Sequence, residues 1–239
     1  MIPYFIILNS TNQDRISHVN TMVEANPDKN FSIIPIVNPS PVTIKKFIDE
    51  HGITIAKGKY QINKLSCHFS HYLAYSIIIN KGIERAIILE DDFTFCQNYD
   101  DELNNVMSEL PADFDLIRLF HPFYHIVEPI NGKKYIGLQS ALCGDVGNLV
   151  SLKGARILKE KLGEILAVPV KENSNPGSFT DVGFVPNDIV IHMNDGGMKS
   201  FNSVQILVDT VGDVDVNNKR KLASTIHFKN EYYEQENDN

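Results

Sequence analysis

The sequence predicts a single α/β domain, with a mixed and mostly parallel central sheet flanked by helices. Three observations carry that prediction. Short apolar runs alternate with segments of helical periodicity through the first half of the chain, the pattern of βαβ units. Those runs close abruptly in polar or acidic residues, as strands buried on both faces do. A length of 239 residues, 43% of them hydrophobic and 22% charged, suits one sizeable core rather than two.

Residues 4–8 read as a first buried strand, closed by Asn9-Ser10. Across residues 12–25, Ile16, Val19, Met22 and Val23 recur at helical spacing, and Asn26-Pro27 ends the helix. Residues 31–37 are apolar and β-branched, but Pro35 lacks an N–H and confines them to a sheet edge or a bulge. Ser40-Pro41 is an N-cap and first-turn pair for a helix over residues 42–51, with Gly52 as its stop. Residues 57–64 read as a polar loop. The next helix, capped by Asn63 or Ser66, ends near Lys81-Gly82 and carries a core stripe of Leu65, Phe69, Leu73 and Ile77.

Residues 86–89 form a compact strand that ends in Glu90-Asp91-Asp92. A further strand covers residues 116–120, and a polar connection leads on to residues 135–138. Another strand ends near Leu149-Val150, and Ser151 caps a helix through Leu162 with Ala155, Leu158 and Leu162 facing inward. Residues 169–183 are rich in Pro, Gly, Asn and Ser and read as a long loop of the kind that carries function. Residues 188–193 read as a last strand, broken by Gly196-Gly197, and 231–239 as a frayed acidic tail. The domain is thus expected to cover residues 1–230.

The formal charge of -8 argues against nucleic-acid binding, which needs a basic face for counterion release. The three cysteines, Cys67, Cys96 and Cys143, form no CxxC pair, which speaks against a disulfide scaffold or a zinc site and for a reduced, cytoplasmic setting. The first residues are apolar only briefly and lack the basic start and long apolar stretch of a signal peptide. No run approaches the roughly 20 apolar residues of a membrane span. A lipid-linked substrate would therefore be met by peripheral contact, from outside the bilayer.

The chemistry concentrates at Glu90-Asp91-Asp92. In open α/β sheets ligands sit beyond the carboxyl ends of the strands, where this triplet falls. Adjacent carboxylates repel unless a cation or a protonation shift compensates, and hard oxygen ligands suit Mn²⁺ or Mg²⁺. Alternation along an extended strand would put Glu90 and Asp92 on one face and Asp91 on the other. The competing interpretation is a solvated strand cap. Cys67 and His71, at i and i+4, share a helix face; metal binding there would need further ligands, and the simpler interpretation is a polar-aromatic core face, with His68 at the surface.

Together these segments resemble glycosyltransferase family 25, which includes lipooligosaccharide sugar transferases and collagen galactosyltransferases. The resemblance rests on Phe5-Ile6-Ile7-Leu8-Asn9 with Asp14-Arg15, on Leu65-Ser66-Cys67-His68-Phe69-Ser70-His71, on residues 86–92, and on residues 147–155 ending in Gly154-Ala155. It covers roughly the first two thirds of the chain. It implies a GT-A-like (Rossmann-like) fold, a UDP-sugar donor, a divalent metal (Mn²⁺ or Mg²⁺), inversion, and an acceptor that is a glycan, glycolipid or protein. It places Glu90 and Asp92 at metal and diphosphate, Asn9 and Arg15 near the nucleotide, and Ser70 and His71 on the donor side of the crevice. Residues 1–125 would then bind the nucleotide sugar, with Asp91 beside the ribose or supporting a neighbour, and residues 126–230 the acceptor.

Leu65-Ser66 stands where the family has Ile-Gly, and the chain has no tryptophan to stack on a sugar. The base that inversion requires is assigned to Asp181, in the long loop, with Asp188 and Asp145 as reserves. His192 or His227 is a candidate extra metal ligand, and Arg118 or Lys153 a candidate phosphate clamp. The alternative function is a catalytically degenerate family member that holds a sugar nucleotide or a partner without turnover.

Overall fold

The computed structural model describes residues 1–120, 127–138, 145–166, 198–210 and 232–235. The first half alternates β1 (Pro3–Leu8), α1 (Gln13–Glu24), β2 (Asn30–Pro35), α2 (Pro41–His51), β3 (Thr54–Ile55), β4 (Gly58–Gln61), α3 (Ile62–Asn80), β5 (Arg85–Glu90), β6 (Phe93–Phe95), α4 (Tyr99–Glu109) and β7 (Leu116–Arg118). Then follow β8 (Ile136–Leu138), β9 (Gly147–Ser151), α5 (Leu152–Leu162), β10 (Glu164–Ile165), β11 (Ser200–Ser203), β12 (Val208–Thr210) and β13 (Tyr232–Gln235).

Seven strands form the central sheet in the order β2-β1-β5-β9-β7-β11-β8. β2, β1, β5, β7 and β11 run one way; β9 and β8 run against them. The mixed, mostly parallel α/β architecture expected from the sequence is therefore the one observed. β2 lies at the sheet edge, ending on Pro35, whose missing N–H costs nothing there. Strands from before and after residue 125 interleave in this one sheet.

Local chemistry accounts for the helix starts. The Asn12 side chain accepts from the backbone N–H groups of Asp14 and Arg15, Ser40 from Thr43, and Ser151 from Gly154. Gly52 closes α2 in the left-handed region at φ 61°. Gly154 is required for another reason: a Cβ there would overlap the Asp115 carbonyl oxygen, so α5 can leave the sheet this closely only through glycine.

Side chains alternate between two apolar layers. Phe5, Ile7, Ala86 and Ile88 face α2, α3 and α5 (Phe47, Phe69, Leu158), whereas Tyr4, Ile6, Ile87 and Leu89 face α1 and α4 (Val19, Leu103, Val106). A helix over residues 99–109 was not foreseen, although Asp100, Asp101 and Glu102 in its first turn with Leu103 and Val106 behind them carry the signal.

Other differences have physical causes. Residues 58–61 are strand β4 rather than loop, running straight into α3, so neither Asn63 nor Ser66 is its cap. β4 pairs with β13, so four residues of the tail expected to fray are ordered, with Tyr233 only 7% exposed. α3 has no single apolar stripe. It lies between the sheet, α2 and α5, and is buried nearly all round.

That burial overturns the surface placement of His68, which is 1% exposed, with Nε2 2.9 Å from the Leu162 carbonyl oxygen it donates to. Burial pushes its pKa down to about 4, further than the carbonyl pulls it back. Above pH about 6.5 both folded and unfolded states carry a neutral imidazole. As pH falls towards 4 only the unfolded chain takes up the proton, so stability drops across that window, by about 3 kcal/mol. His68→Gln should flatten this part of a urea-midpoint-versus-pH curve, and an unchanged curve would refute the assignment.

Candidate active site at the carboxyl end of β5

β1 and β5 are parallel neighbours, so both deliver their last residues to the same end of the sheet. β5 stops at Glu90, and Asp91-Asp92 form a turn rather than more strand. The expected alternation, with Glu90 and Asp92 on one side, therefore does not hold. Glu90 points towards α3 alone, and both aspartates turn towards α1.

Arg15 meets them there. Its Nη1 lies 3.0 Å from Asp91 Oδ1 and 2.8 Å from Asp92 Oδ2, with the guanidinium side chain 4% exposed. The Asn9 backbone N–H donates to Asp91 Oδ2 at 2.8 Å, while the Asn9 side chain accepts from Thr11. Asp92 keeps one buried oxygen, Oδ1, with no partner among the described residues. The pKa of Asp91 is pushed up to about 6 by burial and by Asp92 and Glu90, against the opposing pull of the Asn9 N–H and of Arg15. For Arg15, burial disfavours the charge, but the two aspartates outweigh it and its pKa rises.

Glu90 occupies the other side of the turn. Its Oε1 lies 3.3 Å from His71 Nε2 and 3.6 Å from Cys67 Sγ, both on α3. A crevice open to solvent is bounded by Asn9, Glu90 and Asp91 on the sheet, Asn63, Ser66 and Cys67 on α3, and Ile36 and Pro39 beyond β2.

Ser66 and Ser70 fix that last wall. The Val37 N–H donates to Ser70 Oγ at 2.9 Å, Ser66 Oγ donates to the Val37 carbonyl, and Ser70 Oγ donates onward to the Ser66 carbonyl at 2.7 Å. Two hydroxyls one helical turn apart thus satisfy both backbone groups of a residue that has left its strand. The serine at position 66 acquires a structural purpose in this way. Ser70→Ala should cost about 2 kcal/mol in urea unfolding by leaving a buried N–H unpaired; a cost near zero would show that the wall holds without it.

Of the sequence-derived site residues, Asn9, Glu90 and Asp91 border the crevice, and Arg15 and Asp92 join them at the turn after β5. Ser70 and His71 are fully buried beneath it rather than lining it. Lys153 pairs with Asp115 at 2.9 Å, at the opposite end of the sheet, because β9 runs against β5 and places Ser151 beside Arg85. A phosphate clamp by Lys153 at this crevice is thereby overturned. Arg118 lies towards the crevice end of β7 but is buried against Asp145 at 3.3 Å. Asp181, Asp188, His192 and His227 lie outside the described residues.

Sequence reasoning missed the polar rung that Asn148, Arg118 and Asn202 form across β9, β7 and β11 on the α3 side of the sheet. A signal existed: arginine inside the apolar run 116–120 and asparagine inside 147–150 are polar insertions into strands buried on both faces. Asn148 Nδ2 donates to Asp145 Oδ1 at 3.2 Å.

An open α/β sheet with Glu90 and Asp91 bordering a crevice at its carboxyl ends has the architecture of the Rossmann-like class, in which ligands sit at that end of the sheet. The chain belongs to glycosyltransferase family 25. The model of that family, described as "Glycosyltransferase family 25 (LPS biosynthesis protein)", matches residues 1–172. A procollagen galactosyltransferase 1 of Danio rerio is 29% identical over 140 residues, which are 53% of this chain and 22% of that protein. Procollagen galactosyltransferase 1-B of Xenopus laevis is 28% identical over 151 residues, 58% of this chain and 24% of its own. A Bos taurus protein named "Probable inactive glycosyltransferase 25 family member 3" is 26% identical over 149 residues, 58% of this chain and 24% of its own. The chain thus spans about a quarter of the length of the curated relatives it matches. Among solved structures, the one titled "Crystal Structure of A197 from STIV" superposes with a TM-score of 0.42 and 11% identity, over 84% of this chain and 81% of that one.

Proposed function

We propose that this protein transfers a hexosyl group, galactose or glucose, from a UDP-sugar to an acceptor hydroxyl with inversion, in glycan or lipooligosaccharide synthesis. The carrying observation is the charge imbalance at the end of β5. Three carboxylates, Glu90, Asp91 and Asp92, stand at one turn with a single guanidinium, which pairs with the two aspartates alone, and Asp91 is driven towards neutrality by burial first and by its acidic neighbours second. Such a site is suited to a divalent cation and, through it, to a diphosphate. The ion is assigned to Glu90, which borders the crevice, and to Asp92, whose Oδ1 has no partner among the described residues; the two leave the turn on opposite sides, so a shared ion requires the turn to reorient. When bound, the ion neutralises the departing diphosphate, so no proton need be delivered to the leaving group.

The chain's own residues do the rest. Asn9 and Arg15 hold Asp91 at the rim, where the nucleotide would enter. Ser70 holds the wall at Val37, and His71 supports Glu90 from below. Residues 1–125 supply these groups, and residues 126–230 are assigned the acceptor, with Asp181 as the base that takes the acceptor proton on the face opposite the diphosphate. The names of two relatives favour galactose as the sugar and a protein acceptor. The name of a third supports the second reading, a member that binds without turnover.

Thermal melting with a panel of UDP- and GDP-sugars, with and without Mn²⁺, tests the proposal. One UDP-hexose should raise the melting temperature by about 8 °C at a hundredfold excess over its Kd, only with the cation present. Release of free UDP in the same mixtures separates turnover from binding. A protein that no sugar nucleotide stabilises under either condition is not a transferase of this kind.

A further inference from the structure

The surroundings of Glu90 differ from those of the two aspartates. Cys67 and His71 are one turn apart on α3, and β5 lays Glu90 across both. Each of Cys67, His71 and Glu90 offers one ligand atom, and those atoms lie within 4.8 Å of one another. As hydrogen bonds these contacts are poor. The 3.3 Å imidazole–carboxylate separation exceeds the usual 2.7–3.2 Å range, although a buried imidazole beside a carboxylate ordinarily closes to about 2.8 Å.

As ligand–ligand separations the two distances to Glu90 fit. Nitrogen and oxygen ligands at about 2.0–2.1 Å from a tetrahedral ion stand roughly 3.4 Å apart, and a sulfur at about 2.3 Å stands roughly 3.5 Å from an oxygen. The observed values are 3.3 Å and 3.6 Å. Glu90 and Cys67 also border the crevice, whereas His71 is buried below. A fourth coordination position would therefore open towards the crevice.

We propose that Cys67, His71 and Glu90 form a three-ligand site for a borderline divalent cation of the zinc type, with its fourth position facing the crevice. One thiolate, one imidazole and one carboxylate select Zn²⁺ or Co²⁺ over Mg²⁺, which demands oxygen ligands in an octahedron. Binding releases the Cys67 thiol proton to solvent. Asp92 is not a ligand in this arrangement, because its Oδ2 is engaged by Arg15 on the other side of the turn. The metal site stands on its own geometry. That a phosphate oxygen of the donor enters the fourth position rests on the transferase reading.

The test uses the full chain, stripped of metal by a chelator and titrated with Co²⁺ in the absence and presence of UDP. One equivalent should bind without UDP, giving the visible bands of a four-coordinate ion and a thiolate-to-cobalt charge-transfer band in the near ultraviolet. Cys67→Ser should abolish the charge-transfer band, and His71→Gln should weaken binding about tenfold or more. The double variant Cys96→Ser/Cys143→Ser should keep both. Circular dichroism of each variant guards against loss of fold, and Cys67→Ala serves if Cys67→Ser misfolds. Six-coordinate binding without a charge-transfer band, lost in Asp92→Asn and kept in Cys67→Ser, would overturn the proposal while leaving the transferase reading intact, and so would no saturable binding. A saturable thiolate-bound ion with no response to UDP or any UDP-sugar would support the site and count against the transferase reading.

Discussion

Glu90→Gln abolishes cation-dependent binding of the UDP-sugar, lowers transfer by about 1,000-fold, and leaves the melting temperature within a few degrees of the parent protein. The large functional effect follows from position. Glu90 belongs to both ways in which this crevice is expected to hold a cation, with Asp92 or with Cys67 and His71. Removing one preorganised electrostatic partner of a developing charge costs about 100- to 1,000-fold, and here the ion it helps to hold is lost as well. The small effect on stability follows from exposure and shape. The Glu90 side chain is 23% exposed, the amide is isosteric, and an amide oxygen still accepts from His71. Calorimetric titration of the nucleotide with and without Mn²⁺, beside a melting curve, checks both halves. Unchanged cation-dependent affinity would remove the acidic turn from the site.

Arg15→Met has the opposite profile, a large loss of stability. The substitution keeps the aliphatic stem and removes the one cation that Asp91 and Asp92 share. Breaking a buried ion pair from one side costs about 3 kcal/mol or more, because the carboxylates stay where they are without compensation. For a chain of this length that is roughly a 10 °C drop in melting temperature. The pH dependence fixes the cause. The pKa of Asp91 is already raised to about 6, so its neutral form is favoured in the fold. Without Arg15 it rises further. An acid whose folded pKa lies above its unfolded value of 3.8 contributes most below that value and loses the contribution as pH rises through the folded pKa. The deficit of Arg15→Met should therefore be larger at pH 8 than at pH 5. Added divalent cation should recover part of it if the ion binds these carboxylates. A deficit independent of pH would mean that Arg15 acts through packing alone.

Much of this molecule is legible along the chain because the causes are local. Asn12, Ser40 and Ser151 announce helix starts through hydroxyl or amide oxygens that reach an N–H two or three residues on. Pro35 announces an edge strand through the donor it lacks, and residues 86–89 announce a buried strand through uninterrupted apolar character. The spacing of strand end and acidic triplet pointed to the candidate crevice. The i, i+4 relation of Cys67 and His71 was visible too, but their partner, 19 or more residues away, was not.

The sequence alone determined an α/β fold, the helix boundaries that side chains cap, and a cluster of carboxylates at a strand end. Only the tertiary structure decided how that cluster divides, with Asp91 and Asp92 given to an arginine 76 residues or more away and Glu90 to α3. It alone buried His68, joined β13 to β4, and set Ser66 and Ser70 against Val37. Capping and periodicity act over a few residues and are written in their spacing. Contacts between distant segments follow from strand order and helix packing, which spacing along the chain does not encode.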